Sequence, residues 1–190
     1  RRQRQMCIRD RPETIKGTFV WKGQNYPLVS GHQVLTLNQQ TPAGQRTYYV
    51  SSSTGNDSND GLTPKRAFKT LAKASQLKLF PGDSLLLKAD DIWLKESLFP
   101  VGSGRPENPI VISSYGKGAR PHIKPGRDVI YGIRIVNDAG YKIKGLEVSD
   151  CYGGVVVWEE NTYNHEYIWI EDCYFHDITC LLYTSDAADD

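Results

Sequence analysis

The chain lacks most of what would mark a simple functional class. It has no excess charge: 23 basic side chains face 22 acidic ones, too even a balance for a protein that grips nucleic acid electrostatically. It has no apolar run near the ~18 residues that a membrane-spanning helix needs. Its four cysteines and four histidines fall in no metal-binding Cys/His spacing, and neither a phosphate-cradling glycine loop nor a nucleophile elbow is present. What it does have is 17 Gly, 10 Pro and an 11% aromatic share, which point to a turn-rich β protein rather than a helical bundle. With 190 residues, 39% of them hydrophobic, it can form one globular domain, or part of one, with a core of its own.

The two ends are set aside before any fold reasoning. Met6-Cys7-Ile8-Arg9-Asp10 can be written in codons as ATG TGT ATA AGA GAC. The reverse complement of that string, read out of frame, encodes Cys180-Leu181-Leu182-Tyr183-Thr184. Continued outward, 1–5 becomes the reverse complement of 185–190. Neither folding nor function makes two termini encode each other's complement. The pair resembles a translated sequencing adapter attached in opposite orientation at each end, a better account than a basic head attracted to an acidic tail. Residues 1–11 and 180–190 are therefore read as adapter, which leaves 12–179 as an informative stretch of zero net charge. On that reading both natural ends are missing, and the compartment cannot be taken from a leader.

Residues 12–46 read as a β-rich arm, or the end of a preceding domain, followed by a linker. Within them, 17–37 is a set of short extended pieces in the manner of a hairpin, and 38–46 is polar with Pro42 and Gly44. Thr47-Tyr48-Tyr49-Val50 is a strand, and 51–61 is almost pure turn chemistry. Thr63 offers a capping oxygen and Pro64 suits a first helical position. Phe68, Leu71, Ala72 and Ser75 then recur at helical spacing, so the pattern predicts one amphipathic helix over 64–77. After Pro81-Gly82-Asp83 the chain is strands and turns, with strands expected at 84–87, 110–113, 133–136, 141–143, 155–157 and 168–170.

A repeat runs through those strands. Tyr141–Asp150 (YKIKGLEVSD) aligns with Ile168–Asp177 (IWIEDCYFHD) at an offset of 27, setting Ile143 on Ile170, Leu146 on Cys173 and Val148 on Phe175. Gly132-Ile133-Arg134-Ile135 aligns with Gly154-Val155-Val156-Val157 at an offset of 22. Gly145 and Asp172, both tolerant of a left-handed φ, fall at the same bend. Unequal spacing with fixed apolar register suits the coils of a solenoid. No Asn-Gly or Asp-Gly stands where an up-and-down barrel would reverse.

Tyr48-Tyr49-Val50-Ser51, Gly55-Asn56-Asp57, Asn59-Asp60-Gly61, Phe68-Lys69-Thr70-Leu71, Pro81-Gly82-Asp83 and Pro109-Ile110-Val111-Ile112, in that order, carry a likeness. They resemble the entry of secreted right-handed parallel β-helix proteins, the pectate-lyase-like and chondroitinase-B-like superfamily. The resemblance spans 47–179. It implies an all-β, right-handed parallel β-helix, here its first coils, with one N-terminal capping α-helix over the open mouth. It also implies an extracellular, polysaccharide-active protein, lyase or glycoside hydrolase, whose active site lies on coils further along, so that this stretch alone is expected to be inactive. A non-catalytic, adhesin-like β-helix that binds carbohydrate or a surface is the alternative. A monomer that binds neither nucleic acid nor membrane is expected.

Candidate site residues follow from the 27-residue offset, which stacks Lys142 with Trp169, Lys144 with Glu171 and Ser149 with His176. Lyases of the resembled group use a Lys or Arg base, with calcium or a cationic side chain neutralising the uronate; its hydrolases use paired carboxylates. Lys144 and Glu171 could line a substrate cleft, though a solvated ion pair is the plainer account. Trp169 could stack on a sugar ring or simply pack at the surface. His176-Asp177 looks like an acid–base pair, but neighbours on a strand point to opposite faces, which favours a turn-capping Asp. Glu159-Glu160 reads as a solvated turn. Asp57 and Asp60, with Asn56 and Asn59, suggest a calcium loop but lack the full ligand spacing, and an Asx-rich turn is preferred. Cys151 and Cys173 read as core residues on different repeat positions, without a disulfide between them.

Overall fold

The computed structural model describes residues 17–21, 24–28, 45–158 and 167–185, with side chains for 45–158 and 167–179. The chain divides into two compact units, 1–41 and 42–190. In the first, β1 (Gly17–Trp21) and β2 (Gln24–Leu28) pair antiparallel with Trp21 opposite Gln24. The remainder of the 17–37 stretch and Glu159-Glu160 lie outside the described residues.

The second unit is a parallel β-helix of about three turns. Its strands are β3 (Thr47–Val50), β4 (Ser84–Lys88), β5 (Ile92–Leu94), β6 (Ile110–Tyr115), β7 (His122–Lys124), β8 (Tyr131–Val136), β9 (Tyr141–Lys144), β10 (Glu147–Trp158), β11 (Ile168–Glu171) and β12 (Tyr174–Ser185), the last of which runs on into the stretch read above as adapter. One sheet runs β3-β4-β6-β9-β11 and a second runs β5-β7-β10-β12, with β8 beside the far half of β10. Every pairing between these strands is parallel. Both repeat offsets read from the sequence are ladder registers: Ile143 faces Ile170, Ser149 faces His176, and Val155 faces Ile133.

Alternation explains the core. In the first sheet, Tyr48, Leu85, Ile112, Ile143 and Ile170 are successive ladder partners pointing inward. In the second, Trp93, Ile123, Val148 and Phe175 do the same. Ile112, Ile123, Ile143 and Val148 are fully buried. Each such side chain contributes about 1.5–3 kcal/mol by leaving water, and the parallel register places like above like without adjustment. Cys151 is buried and Cys173 half-buried, both as free thiols packed with this core.

The mouth of the coil departs from the predicted helix over 64–77. Pro64–Arg66 is a single 3-10 turn, Ala67 is extended, and only Leu71–Ala74 is α-helical (α1). Thr63 caps nothing; the cap is Thr70, whose side chain accepts from the Lys73 N–H. The reason is the exposed edge of β3, which needs partners. Phe68 supplies them, donating its N–H to Tyr49 and accepting from the Ser51 N–H, and so pairs with Val50 as a strand residue. That competing backbone pairing overrides the helical periodicity. Phe68 and Leu71 are nonetheless buried, in one core with Leu85 and Leu87. The plug is tied down by the Trp93 indole N–H donating to the Lys69 carbonyl (3.0 Å) and by the Leu71 N–H donating to Glu96 (2.7 Å). Gly61, at φ +70, lies against Phe68, and a Cβ there would fall 2.2 Å from the ring.

The 51–61 loop is held by its own side chains. Asn56 and Asp60 each accept from the N–H two residues on, and Asp60 also pairs with Arg66 at 3.2 Å. Asp57 accepts from the Lys69 and Thr70 N–H groups and from the Thr70 hydroxyl, at 2.8, 3.0 and 2.9 Å. Partial burial pushes the Asp57 carboxyl up, but these donors and Lys73 outweigh it and hold it below the ordinary aspartate value of 3.8.

Two outcomes are expected. Ile112→Ala, in mid-column, should cost about 2–5 kcal/mol in urea unfolding, and a loss under about 0.5 kcal/mol would contradict the column. Because the Asp57 carboxyl is lowered on folding, its contribution is complete above pH 3.8 and lost as pH falls through the lower native value. Asp57→Asn should therefore destabilise at neutral pH by about 1–2 kcal/mol, as capping losses do, and flatten the acid limb of the melting curve.

Candidate functional site

The sequence-derived candidates separate onto two faces. Lys144, Trp169 and Glu171 lie on the outer side of the first sheet. Glu171 sits 3.1 Å from Lys142 and 3.2 Å from Lys144, and these two lysines, Lys142 the more, hold its carboxyl below the usual range. Trp169 is 60% exposed beside Lys142. His176 lies instead on the second sheet, past the bend at Asp172, whose φ is +51. Asp172 holds Arg120 across that bend at 2.6 Å.

Around His176 the structure assembles a cluster that the sequence reading missed. Three tripeptides, His122-Ile123-Lys124, Glu147-Val148-Ser149 and Tyr174-Phe175-His176, alternate out, in, out on consecutive coils. Their middle residues are the core column; their outer residues meet on the opposite side of the sheet, with Ser149 buried beneath the others. Glu147 is the ladder partner of both His122 and Tyr174, and Ser149 that of His176. His176 Nε2 is 3.0 Å from Glu147 Oε1, and His122 Nδ1 is 3.5 Å from the same oxygen. The remote ring nitrogens are also engaged: His176 Nδ1 lies 2.9 Å from Asp177 Oδ2, and His122 Nε2 lies 2.8 Å from the buried Ser149 hydroxyl. Tyr174 stacks on the His176 ring at 4.8 Å between centroids.

The contact between His176 and Asp177 corrects the expectation that strand neighbours must diverge. Asp177 has φ +52 and Asp150, one coil earlier, also has φ +52. Each sits at a left-handed corner inside its long strand, where alternation is cancelled, so each carboxylate returns to the side chain before it. Asp150 thus accepts from Ser149 at 3.1 Å and pairs with Lys124 at 3.0 Å and Arg127 at 3.4 Å. The 27-residue offset stacks Ser149 on His176; a second, shorter offset of 25, taken back from Glu147, reaches His122.

The charges are distinct. Burial lowers the pKa of His122, with Glu147 pulling the other way, whereas hydrogen bonds to Asp177 and Glu147 raise that of His176. Lys124, then Ser149 and Arg127, hold the Asp150 carboxyl low. The result is one carboxylate between two imidazoles, one of them the readier proton carrier, open to solvent on one side. Such a group can bind polar oxygens and exchange a proton with them.

No family model matches the chain. A 79-residue stretch is 37% identical to a lacto-N-biosidase of Bifidobacterium longum subsp. longum, covering 40% of this chain and 5% of that protein. Among solved structures, the selenomethionine derivative of the GH136 lacto-N-biosidase from Eubacterium ramulus aligns with a TM-score of 0.64 and 24% identity, over 73% of this chain and 30% of that one. The native protein of the same enzyme aligns at 0.54 and 22%, over 72% and 30%. The chain is thus similar to β-helical glycoside hydrolases and spans under a third of their length. At these identities the structural likeness establishes the fold. No helix among the described residues is long and apolar enough to cross a membrane.

The corner geometry gives a check. Asn tolerates a left-handed φ better than Ala, so Asp150→Ala should lower the thermal midpoint more than Asp150→Asn, whereas Glu171→Gln, on the solvated pair, should leave it in place. Equal midpoints for the two Asp150 variants would remove the corner's role.

Proposed function

We propose that this chain forms the first coils of an extracellular glycoside hydrolase, and that its second sheet contributes to holding the glycan. What carries the reading is the outward ladder in which Ile92, His122, Glu147 and Tyr174 follow one another as ladder partners. Ile92 and Tyr174 are half-exposed, so apolar and aromatic surface flanks hydrogen-bonding groups. A pyranose offers the matching pattern, an apolar C–H face rimmed by hydroxyls. The similarity to lacto-N-biosidases supports hydrolase over lyase chemistry and suggests a lacto-N-biose unit as the bound sugar. In a hydrolase two carboxylates flank the scissile bond. Glu147 and Asp177 meet here on a single imidazole, which suits binding, with the cleaving pair supplied from coils beyond these.

A second reading, a non-catalytic carbohydrate-binding β-helix, is favoured by the exposed Tyr167 and Trp169 around the first sheet, which offer stacking surface without chemistry. NMR titration with lacto-N-biose should move the Tyr174 and His176 resonances with millimolar affinity. Tyr174→Ala should weaken that binding about tenfold, on the scale of one lost stacking contact. A chromogenic lacto-N-bioside should remain uncleaved by this chain. Shifts centred on Trp169 would favour the second reading, unsaturated product from a uronate polymer would favour a lyase, and no response to either sugar would overturn the proposal.

A further inference from the structure

We propose that His122, Glu147 and His176 form a binding site for a divalent transition metal of the zinc type. This goes beyond carbohydrate binding and does not depend on it. Among the described residues, these three bring one ligand atom each to within 4.8 Å of one another. In a tetrahedral site with bonds of about 2.0–2.2 Å, ligand atoms stand about 3.4 Å apart. The 3.0 and 3.5 Å separations from Glu147 Oε1 lie close to that value, and the two histidine nitrogens, within 4.8 Å of each other, reach it by rotation of the rings.

The outer contacts supply the stronger argument. A metal-bound histidine presents a bare nitrogen to the ion and donates its other N–H to a carboxylate or hydroxyl, which fixes ring and tautomer. Both rings here are wired that way. His176 turns Nε2 inward and offers Nδ1–H to Asp177. For His122 the hydrogen count decides. Asp150 only accepts, so the single Ser149 hydroxyl proton goes to it, and His122 Nε2 must be the donor to Ser149 Oγ. In a neutral ring that leaves His122 Nδ1 bare, its lone pair facing the Glu147 carboxylate at 3.5 Å. Two acceptors aimed at each other are a mismatch that a cation between them resolves.

Two imidazoles and one carboxylate select zinc, cobalt or nickel over calcium or magnesium. The donor set is the one used by open zinc sites, with three protein ligands and a further position for water or a ligand oxygen. Here the His122, Glu147 and His176 side chains are 13, 25 and 30% exposed, so that position opens to solvent. Binding would displace the proton on His176 Nε2 into solvent and leave the Nδ1–H on Asp177. Asp177 is accordingly a positioning residue.

Calorimetric titration of the whole chain with Zn2+ should find one equivalent bound at about 10 μM or tighter, and Co2+ should give the intense visible bands of a four-coordinate site. His122→Gln and His176→Gln should each weaken binding at least 100-fold, and Asp177→Asn about 10–100-fold, as lost outer contacts do, with circular dichroism confirming the fold. If a variant fails to fold, paramagnetic broadening by Co2+ in the unaltered protein decides: the rings of His122 and His176 should broaden ahead of those of His32 and His165. No binding at about 1 mM, affinity unmoved by both histidine substitutions, or broadening centred on other histidines would overturn the site.

Discussion

Parallel strands locked in register from coil to coil are the constraint on which everything else rests. Once Ile143 sits over Ile170, alternation along the strand determines which neighbour is inside and which is outside as far as the next left-handed corner. The columns Leu85-Ile112-Ile143 and Trp93-Ile123-Val148 are the inward consequence; the ladder His122-Glu147-Tyr174 is the outward one. A residue reaches the cluster because the apolar residue beside it has reached the core. Packing and site are thus two readings of one register, and a change that shifts the first must move the second.

The same dependence explains what the sequence disclosed. Register was legible because apolar residues recur at fixed offsets while turns between them vary, which allowed Ser149 to be placed on His176 and Lys144 on Glu171 without coordinates. The plug at the coil mouth was legible only as a burial pattern. Phe68 and Leu71 do enter the core, but Phe68 does so as a strand residue, because the hydrogen-bonding needs of the β3 edge are a long-range demand that local periodicity does not carry. Thr63 was a plausible cap on local grounds; Thr70 is the working one because the helix starts later.

The site was legible in part. His176 stands out in the sequence, but its contacts with Glu147 and, through the corner, with Asp177 do not, for two physical reasons. Glu147 and His122 lie on two earlier coils, and reaching His122 means applying a second, shorter offset of 25 after the first of 27. Strict alternation turns Asp177 away from His176, and only the left-handed corner brings it back. Lys144, Trp169 and Glu171 share with His176 the 27-residue offset that singles them out, yet the turn at Asp172 carries the chain from one sheet to the next, so a common offset there does not mean a common face.

The left-handed corners at Asp150 and Asp177 carry a consequence for how such a protein can change. Within β10 and β12, a single inserted residue would exchange inside for outside and dismantle the cluster together with the column behind it. Between strands, where successive coils already differ by several residues, insertions leave both untouched. A coil of this kind is therefore free to lengthen its loops and carry new decorations around an unchanged inner scaffold, while the corner positions admit little beyond aspartate, asparagine and glycine.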